Sequence, residues 1–130
     1  MRVEKQLAIF LENRPGALAA MCETLAEAGI NLLALTVSDT VDHAVVRIVP
    51  DKPDKAIHLL GDAGMLVVES DVLAVEVTNE PGALGRIARA LAETNVNIEY
   101  AYCTTIPGAG NGALILRVRD PQKAMRVLGV

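Results

Sequence analysis

One motif occurs twice in this 130-residue chain, and the repeat constrains the fold more than any other feature of the sequence. The residues NRPGAL at 13–18 return as NEPGAL at 79–84, 66 positions later. Asn31 returns as Asn97 at the same spacing. Similarity at a fixed spacing indicates repeated structural units. The chain is therefore predicted to be a tandem duplication.

Each copy shows the same predicted order of elements. An alternating apolar stretch predicts a first strand, an amphipathic helix follows it, and two further strands form a hairpin. A second helix begins at Pro53 or Pro121, because proline suits the first helical turn. The resulting β-α-β-β-α order becomes the split βαβ, ferredoxin-like arrangement when a fourth strand is added. The predicted strands are 6–11, 32–38 and 44–49 in the first copy, and 72–77, 98–104 and 113–118 in the second.

The repeated motif also predicts the start of each first helix. Its asparagine is placed at the N-cap, its proline at the first helical position and its leucine on the apolar helix face. Gly29 and Asn95 are expected to end these helices, since both residue types tolerate the left-handed conformation. The motif residues concerned are Asn13, Pro15 and Leu18 in the first copy, and Asn79, Pro81 and Leu84 in the second.

The two copies differ in their fourth strand. Residues 66–69 supply it in the first copy, whereas the second copy reaches the last residue without one. Two explanations stay open: residues 2–5 provide the missing edge strand of the second copy, or that edge is covered by another subunit. The corresponding division is one unit at 1–68 and another at 69–130.

Composition excludes several classes of function. Aromatic residues make up 2% of the chain and the net charge is −4, so neither base-stacking surfaces nor clustered positive charge are available for nucleic acid or an anionic membrane. No apolar run approaches the roughly 20 residues that span a bilayer, and a cytoplasmic protein is expected. Two cysteines and two histidines do not make a disulfide framework or a metal site, so no metal and no cofactor are predicted.

These motifs resemble the ACT domain. A strand, an Asn-x-Pro-Gly-Ala-Leu turn, an amphipathic helix and an Ile-Asn or Val-Asn pair before the next strand occur twice, as in free-standing tandem ACT proteins. Some similarity to the ACT modules of acetolactate synthase small subunits is also present. The resemblance implies α+β architecture with two ferredoxin-like βαββαβ units, antiparallel sheets and helices on one face. It also implies a homodimer or larger homo-oligomer that binds an amino acid at unit or subunit interfaces near the first loop.

The candidate ligand-binding residues lie in the repeated loops and at the start of the strand after each first helix. Free N–H groups at a helix start can bind a carboxylate, and an asparagine amide can bind a zwitterion. The alternative is that the same residues have a purely structural role, in which they cap helices and form turns. The candidates are Asn13, Arg14, Pro15, Gly16, Ala17, Leu18 and Asn31 in the first copy, and Asn79, Glu80, Pro81, Gly82, Ala83, Leu84 and Asn97 in the second.

The two loops are predicted to be inequivalent. Arg14 favours the carboxylate of a ligand, whereas Glu80 in the same position would repel it or hold an ammonium group. On the strands that follow, Leu33, Leu35 and Val37 are assigned to the helix-packed core. Tyr100 and Tyr102 are assigned to the opposite face of the sheet.

Two classes of function remain. The first is a non-catalytic regulatory sensor that binds an amino acid, with apolar walls favouring a small aliphatic one, and that changes assembly or a separate enzyme of amino-acid metabolism allosterically. The alternative is a constitutive interaction or oligomerisation module with no small ligand. An enzyme is disfavoured because the sequence offers no nucleophile with a base and no paired carboxylates at matched positions.

Overall fold

A computed structural model of the chain describes residues 1–39 and 43–129, and within them it contains six strands and four helices. The turn that joins the second strand to the third lies outside the described residues. The strands are β1 (Arg2–Glu12), β2 (Leu32–Asp39), β3 (His43–Pro50), β4 (Leu66–Thr78), β5 (Ile98–Thr104) and β6 (Asn111–Val118). The helices are α1 (Ala17–Glu27), α2 (Pro53–Asp62), α3 (Ala83–Glu93) and α4 (Pro121–Leu128). These elements confirm the predicted α+β fold class.

The first compact unit is Lys5–Ser70. Its strands follow the order β2-β3-β1-β4, which is the order of a ferredoxin-like unit, with antiparallel pairing of β1 and β2 to β3. Side chains from two strands and both helices meet in one core, so both helices lie on the same face. The largest buried members of this core are Leu7, Ile9, Met21, Leu25, Ile48 and Leu60.

The second compact unit joins Met1–Glu4 to Asp71–Val130. Its strand order is β1-β4-β6-β5, and Val3 of β1 packs against its core. The same topology therefore arises from two separate stretches of chain. The compact units divide the chain after residues 4 and 70, while the domain division at residues 68 and 69 stays a prediction. The core of this unit contains Leu73, Val77, Leu91, Leu114, Leu116, Val118 and Ala124.

Strands β1 and β4 are longer than predicted. The segments 66–69 and 72–77, expected as separate strands, form one 13-residue strand. Likewise, β1 starts at Arg2 rather than at residue 6. Neither segment contains glycine or proline at the expected break, so nothing interrupts the extended backbone.

Both first helices end as predicted. Gly29 has φ of 74° and Asn95 has φ of 60°, in the left-handed region. The N–H of the following residue donates to a carbonyl five positions earlier, from Ile30 to Leu25 and from Val96 to Leu91. This is the Schellman arrangement, which satisfies carbonyls at the helix end.

Leu35 and Val37 lie on the predicted face of β2, but they are less buried than predicted. Leu35 pairs with Ile48 and Val37 with Val46, so both lie on the core side. Leu33, Leu35 and Val37 are nevertheless 39–45% exposed, because β2 is an edge strand that the helices cover incompletely. In the second unit, Tyr102 pairs with Ile115 of β6. The neighbours of Ile115, Leu114 and Leu116, point into the core, so Tyr102 lies on the face of the sheet away from the core, as predicted.

Candidate ligand-binding site

Each repeated motif forms a type II turn ahead of its helix. The carbonyl of Arg14 accepts a hydrogen bond from the N–H of Ala17 at 3.3 Å, and Gly16 has φ of 87° and ψ of −13°. In the second copy, the carbonyl of Glu80 accepts from Ala83 at 3.3 Å, with Gly82 at 88° and −12°. A type II turn takes proline at its second position and glycine at its third. The Pro-Gly pair is therefore explained by the turn.

This geometry corrects the predicted helix starts. The N-cap residues are Gly16 and Gly82, with no side-chain cap, and the prolines lie in the turn rather than at the first helical position. The sequence interpretation applied a general helix-start rule where a more specific turn signal, Pro-Gly, was present. The predicted prolines at the second helices are confirmed, since α2 and α4 begin at Pro53 and Pro121.

The side chain of Asn79 has a different role from capping. Its amide donates to the carbonyl of Ala109 at 3.1 Å and to that of Ile106 at 3.4 Å. The backbone N–H of Asn79 also donates to Gly110 at 3.0 Å. Asn79 therefore ties the Pro-Gly turn of the second unit to the loop between β5 and β6.

Two of the three backbone N–H groups at residues 16–18 are open, and the same is true at residues 82–84. The N–H of Ala17 is used by the turn itself, and so is that of Ala83. Within the described residues, the N–H groups of Gly16 and Leu18 have no hydrogen-bond partner, and the same holds at residues 82 and 84. These donors belong to the unsatisfied groups of a helix start, where a carboxylate is favoured.

The charged side chains of both turns are already paired. Arg14 donates to Glu12 at 2.8 Å in the first unit. In the second, Arg86 donates to Glu80 at 2.7 Å. The predicted contrast between a cationic and an anionic turn is therefore reduced, because each turn contains one charge of each sign. All four side chains are more than half exposed, so water weakens both pairs.

The approach to the two glycines differs. A methyl group built on Gly16 would meet nothing within 4 Å, whereas one on Gly82 would lie 3.1 Å from the guanidinium of Arg86. The first turn is thus open above its glycine, and the second is narrowed by a cation. This difference is due to Arg86, which was not among the site residues predicted from the sequence.

Leu18 and Leu84 do not join the core as the helix pattern predicted. They are 37% and 48% exposed, beside their turns. The buried face of each helix begins one residue earlier, at Ala17 or Ala83, and continues through Met21 or Ile87. The leucine therefore lies at the solvent side of the first helical turn.

The predicted asparagines at the start of β2 and β5 lie away from the turns of their own units. Each follows the end of an 11-residue helix whose start holds the Pro-Gly turn, and such a helix is about 16 Å long. The predicted residues therefore form two clusters in each unit rather than one. At Asn31, the backbone N–H donates to Asp51 Oδ1 at 2.9 Å.

Asn97 instead borders a pocket of about 480 Å³ in the second unit. Both positively and negatively charged side chains line this pocket. Asn95, Arg119 and Lys123 among its lining residues are exposed to solvent. Within the described residues, no group of three or more His, Cys, Asp or Glu side chains could hold a metal ion. None of the helices in the described ranges is long and apolar enough to cross a membrane.

Comparison with known families and structures defines the class of protein. The family described as "ACT domain pair" matches residues 1–129. The chain therefore belongs to the ACT family, as a pair of ACT domains, and the predicted tandem ferredoxin-like architecture is confirmed. Among curated proteins, none matches the chain significantly.

Solved structures share the complete fold. Protein BT0572 from Bacteroides thetaiotaomicron is 35% identical, with a TM-score of 0.90 over 98% of this chain and 87% of its own. The ligand-free regulatory subunit of aspartate kinase from Thermus thermophilus is 18% identical, with a TM-score of 0.75 over 99% and 96%. The corresponding subunit from Thermus flavus is 19% identical, with a TM-score of 0.68 over 98% and 92%. The identities of the two Thermus proteins support a shared fold alone.

Proposed function

We propose that this chain is a non-catalytic regulatory protein of the cytoplasm that binds a free amino acid at its Pro-Gly turns. Binding changes the assembly of a homo-oligomer or the activity of a separate enzyme of amino-acid metabolism. The observation that carries the proposal is the pair of type II turns, each of which combines unpartnered N–H groups with an exposed leucine. Open N–H groups occur at every helix start, so it is the exposed leucine beside each turn that favours binding over a purely structural role.

The chemistry of the first turn suits a small aliphatic amino acid. The N–H groups of Gly16 and Leu18 can donate to the α-carboxylate, and the open space above Gly16 allows close approach. The exposed side chain of Leu18 offers an apolar contact for the ligand side chain. The guanidinium of Arg14 can leave its weak surface pair with Glu12 to bind the carboxylate.

The family supports a regulatory role. The Thermus proteins of the same fold are described as regulatory subunits of aspartate kinase, and one structure is described as a ligand-free form. A regulatory subunit acts on an enzyme whose catalytic centre lies in another chain. An equivalent arrangement here places the regulated enzyme outside this chain.

One observation favours the alternative, a constitutive interaction module. Leu33, Leu35 and Val37 form an exposed apolar strip on the edge strand β2, and such a strip is costly unless another surface covers it. The corresponding positions of β5 are Glu99, Ala101 and Cys103, which are less apolar. A module of this kind would assemble identically with and without free amino acids.

The distinguishing experiment measures the melting temperature of the full chain against each of the twenty amino acids. A ligand at 100 times its Kd adds about 2.7 kcal/mol to the free energy of unfolding. We expect a selective increase that Arg14→Glu reduces. Arg89→Glu is the matched control, because it makes the same charge change on the exposed side of α3. No increase with any amino acid would reject sensing and favour the interaction module.

A further inference from the structure

The C-terminal ends of α1 and α3, the first helices of the two units, differ in their hydrogen-bond partners. In the first unit, Lys52 Nζ donates to the carbonyl of Gly29 at 2.8 Å, and Lys55 Nζ donates to that of Ala28 at 2.6 Å. Carbonyl groups at a helix C-terminus carry partial negative charge and lack partners within the helix. This helix end therefore binds two ammonium groups that the chain itself supplies.

The second unit has a different set of residues at the same places. The helix ends correspond at a spacing of 66, so the equivalent carbonyls belong to Thr94 and Asn95. The next helices begin at Pro53 and Pro121, a spacing of 68, so Asp120 replaces Lys52. By the same spacing, Arg119 replaces Asp51 and Lys123 replaces Lys55.

This replacement leaves the helix end open. Within the described residues, no side chain donates to the carbonyl of Thr94 or Asn95, and a pocket of about 480 Å³ lies there. The ammonium group that lies on Gly29 in the first unit thus has no counterpart in the second. A ligand ammonium can take its position.

The walls of the pocket carry charges of both signs. Asp120 Oδ1 accepts a hydrogen bond from the N–H of Lys123 at 3.1 Å and so caps α4, and Asp120 lines the same pocket as Asn95. Within the described part of the chain, the guanidinium of Arg119 and the ammonium of Lys123 have no hydrogen-bond or ion-pair partner. Glu99 lies 3.7 Å from Arg117 in an ion pair. The pocket therefore combines an anionic corner with two available cations.

We infer that this pocket binds a free α-amino acid. The ligand ammonium lies on the carbonyl of Asn95 and next to Asp120, in the position that Lys52 Nζ takes in the first unit. The ligand carboxylate is bound by Arg119 and Lys123. The inference rests on the proposed function, and it adds a second site at the end of α3 opposite to the Pro-Gly turn.

The comparison of the units also provides the variants. Asp120→Lys restores the lysine of the first unit and should fill the position of the ligand ammonium. Asp120→Asn removes the charge but keeps a residue that caps α4, so it separates charge from folding. Lys52→Asp makes the opposite change in the first unit and should open an ammonium position at Gly29.

The experiment is an NMR titration of the full ¹⁵N-labelled chain with each of the twenty amino acids. Methylamine hydrochloride and sodium acetate serve as half-ligands. We expect saturable amide shifts at residues 95–97 and 119–120, with each half-ligand binding at least tenfold more weakly than the amino acid. Asp120→Lys should abolish these shifts, and Asp120→Asn should weaken binding about tenfold. In Lys52→Asp, methylamine should also produce saturable shifts at residues 29–31, whereas acetate should not, because Asp51 stands where Arg119 lies in the second unit.

The outcomes separate the two proposals. Shifts confined to residues 13–18 or 79–84 would overturn the pocket and leave the proposed function standing. Shifts confined to the pocket and lost in Asp120→Lys would support the pocket and remove the turns as the binding site. Pocket shifts that persist in Asp120→Lys would overturn the inferred binding geometry. A chain that responds to no amino acid would overturn both proposals.

Discussion

The two Pro-Gly turns have the same backbone and different surroundings. Their glycines differ by 1° in both φ and ψ, although the turns share only five of six residues. The charges around them are exchanged, with the arginine at position 14 in one turn and at position 86 in the other. The duplication thus preserved what the backbone requires, while the side chains that a ligand would meet diverged.

The largest expected effect tests whether the two units are built alike. Leu25 and Leu91 occupy equivalent helix positions and are 1% and 0% exposed. Each substitution to alanine should lower the free energy of unfolding by about 2–5 kcal/mol, because it removes buried methyl groups and leaves a cavity. Urea denaturation measures this directly. A loss below about 1 kcal/mol at either position would contradict the core described for that unit.

The next effect tests the shared backbone of the turns. Gly16→Ala and Gly82→Ala should each cost roughly 1–2 kcal/mol of unfolding free energy, because a side chain strains the left-handed conformation. The loss should be larger at Gly82, where the new methyl group meets Arg86. Gly85→Ala in α3 is the control, and it should be stabilising, since its new methyl group meets nothing. If thermal melts showed Gly16→Ala to be as stable as Gly85→Ala, the type II turn at Gly16 would be contradicted.

A smaller effect sharpens the contrast between the turns. Asn79→Asp keeps the size of the side chain but removes the donors to Ile106 and Ala109. We expect about 1 kcal/mol of destabilisation, the usual net value of such exposed hydrogen bonds. Hydrogen exchange at Ala109, whose N–H donates to Ile106, should accelerate. Unchanged exchange there would show that Asn79 does not hold the loop.

The smallest effect concerns the exchanged charges. Arg14→Gln and Arg86→Gln each remove one exposed ion pair, and each should change the free energy of unfolding by less than about 1 kcal/mol. The two variants should differ in binding instead, because Arg14 stands beside the open glycine. Calorimetric titration with the amino acid that stabilises the wild type measures this. Equal loss of affinity in both would contradict the inequivalence of the turns.

Local chemistry explains which expectations succeeded. The helix ends at Gly29 and Asn95 and the proline starts of α2 and α4 depend on a few neighbouring residues, and all were predictable. The prediction for the start of α1 was wrong, although this start also depends on neighbouring residues. Two sequence rules apply to the same residues there. Pro15 satisfies both a helix start and a type II turn, and Gly16 decides between them.

The candidate site was predictable in part. The turns and the asparagines could be located from the repeat, but the pairing of Arg86 with Glu80 spans six residues and the bonds of Asn79 span about thirty. Such contacts depend on how the helix and the next hairpin pack. The pocket beside Asn95 depends on Asp120, which lies 25 positions further along the chain.

The sequence by itself determined the duplication, the order of the elements and the conformation of each turn, because repeats and short-range backbone preferences are written in neighbouring residues. Tertiary structure decided the rest. It joined Met1–Glu4 to the second unit, left Leu35 exposed on an edge strand and set lysines on one helix end but not on the other. These outcomes depend on which strands pair and which surfaces are covered. The hydrophobic pattern of a sequence shows which face a residue lies on, but it does not show which residues pack against that face.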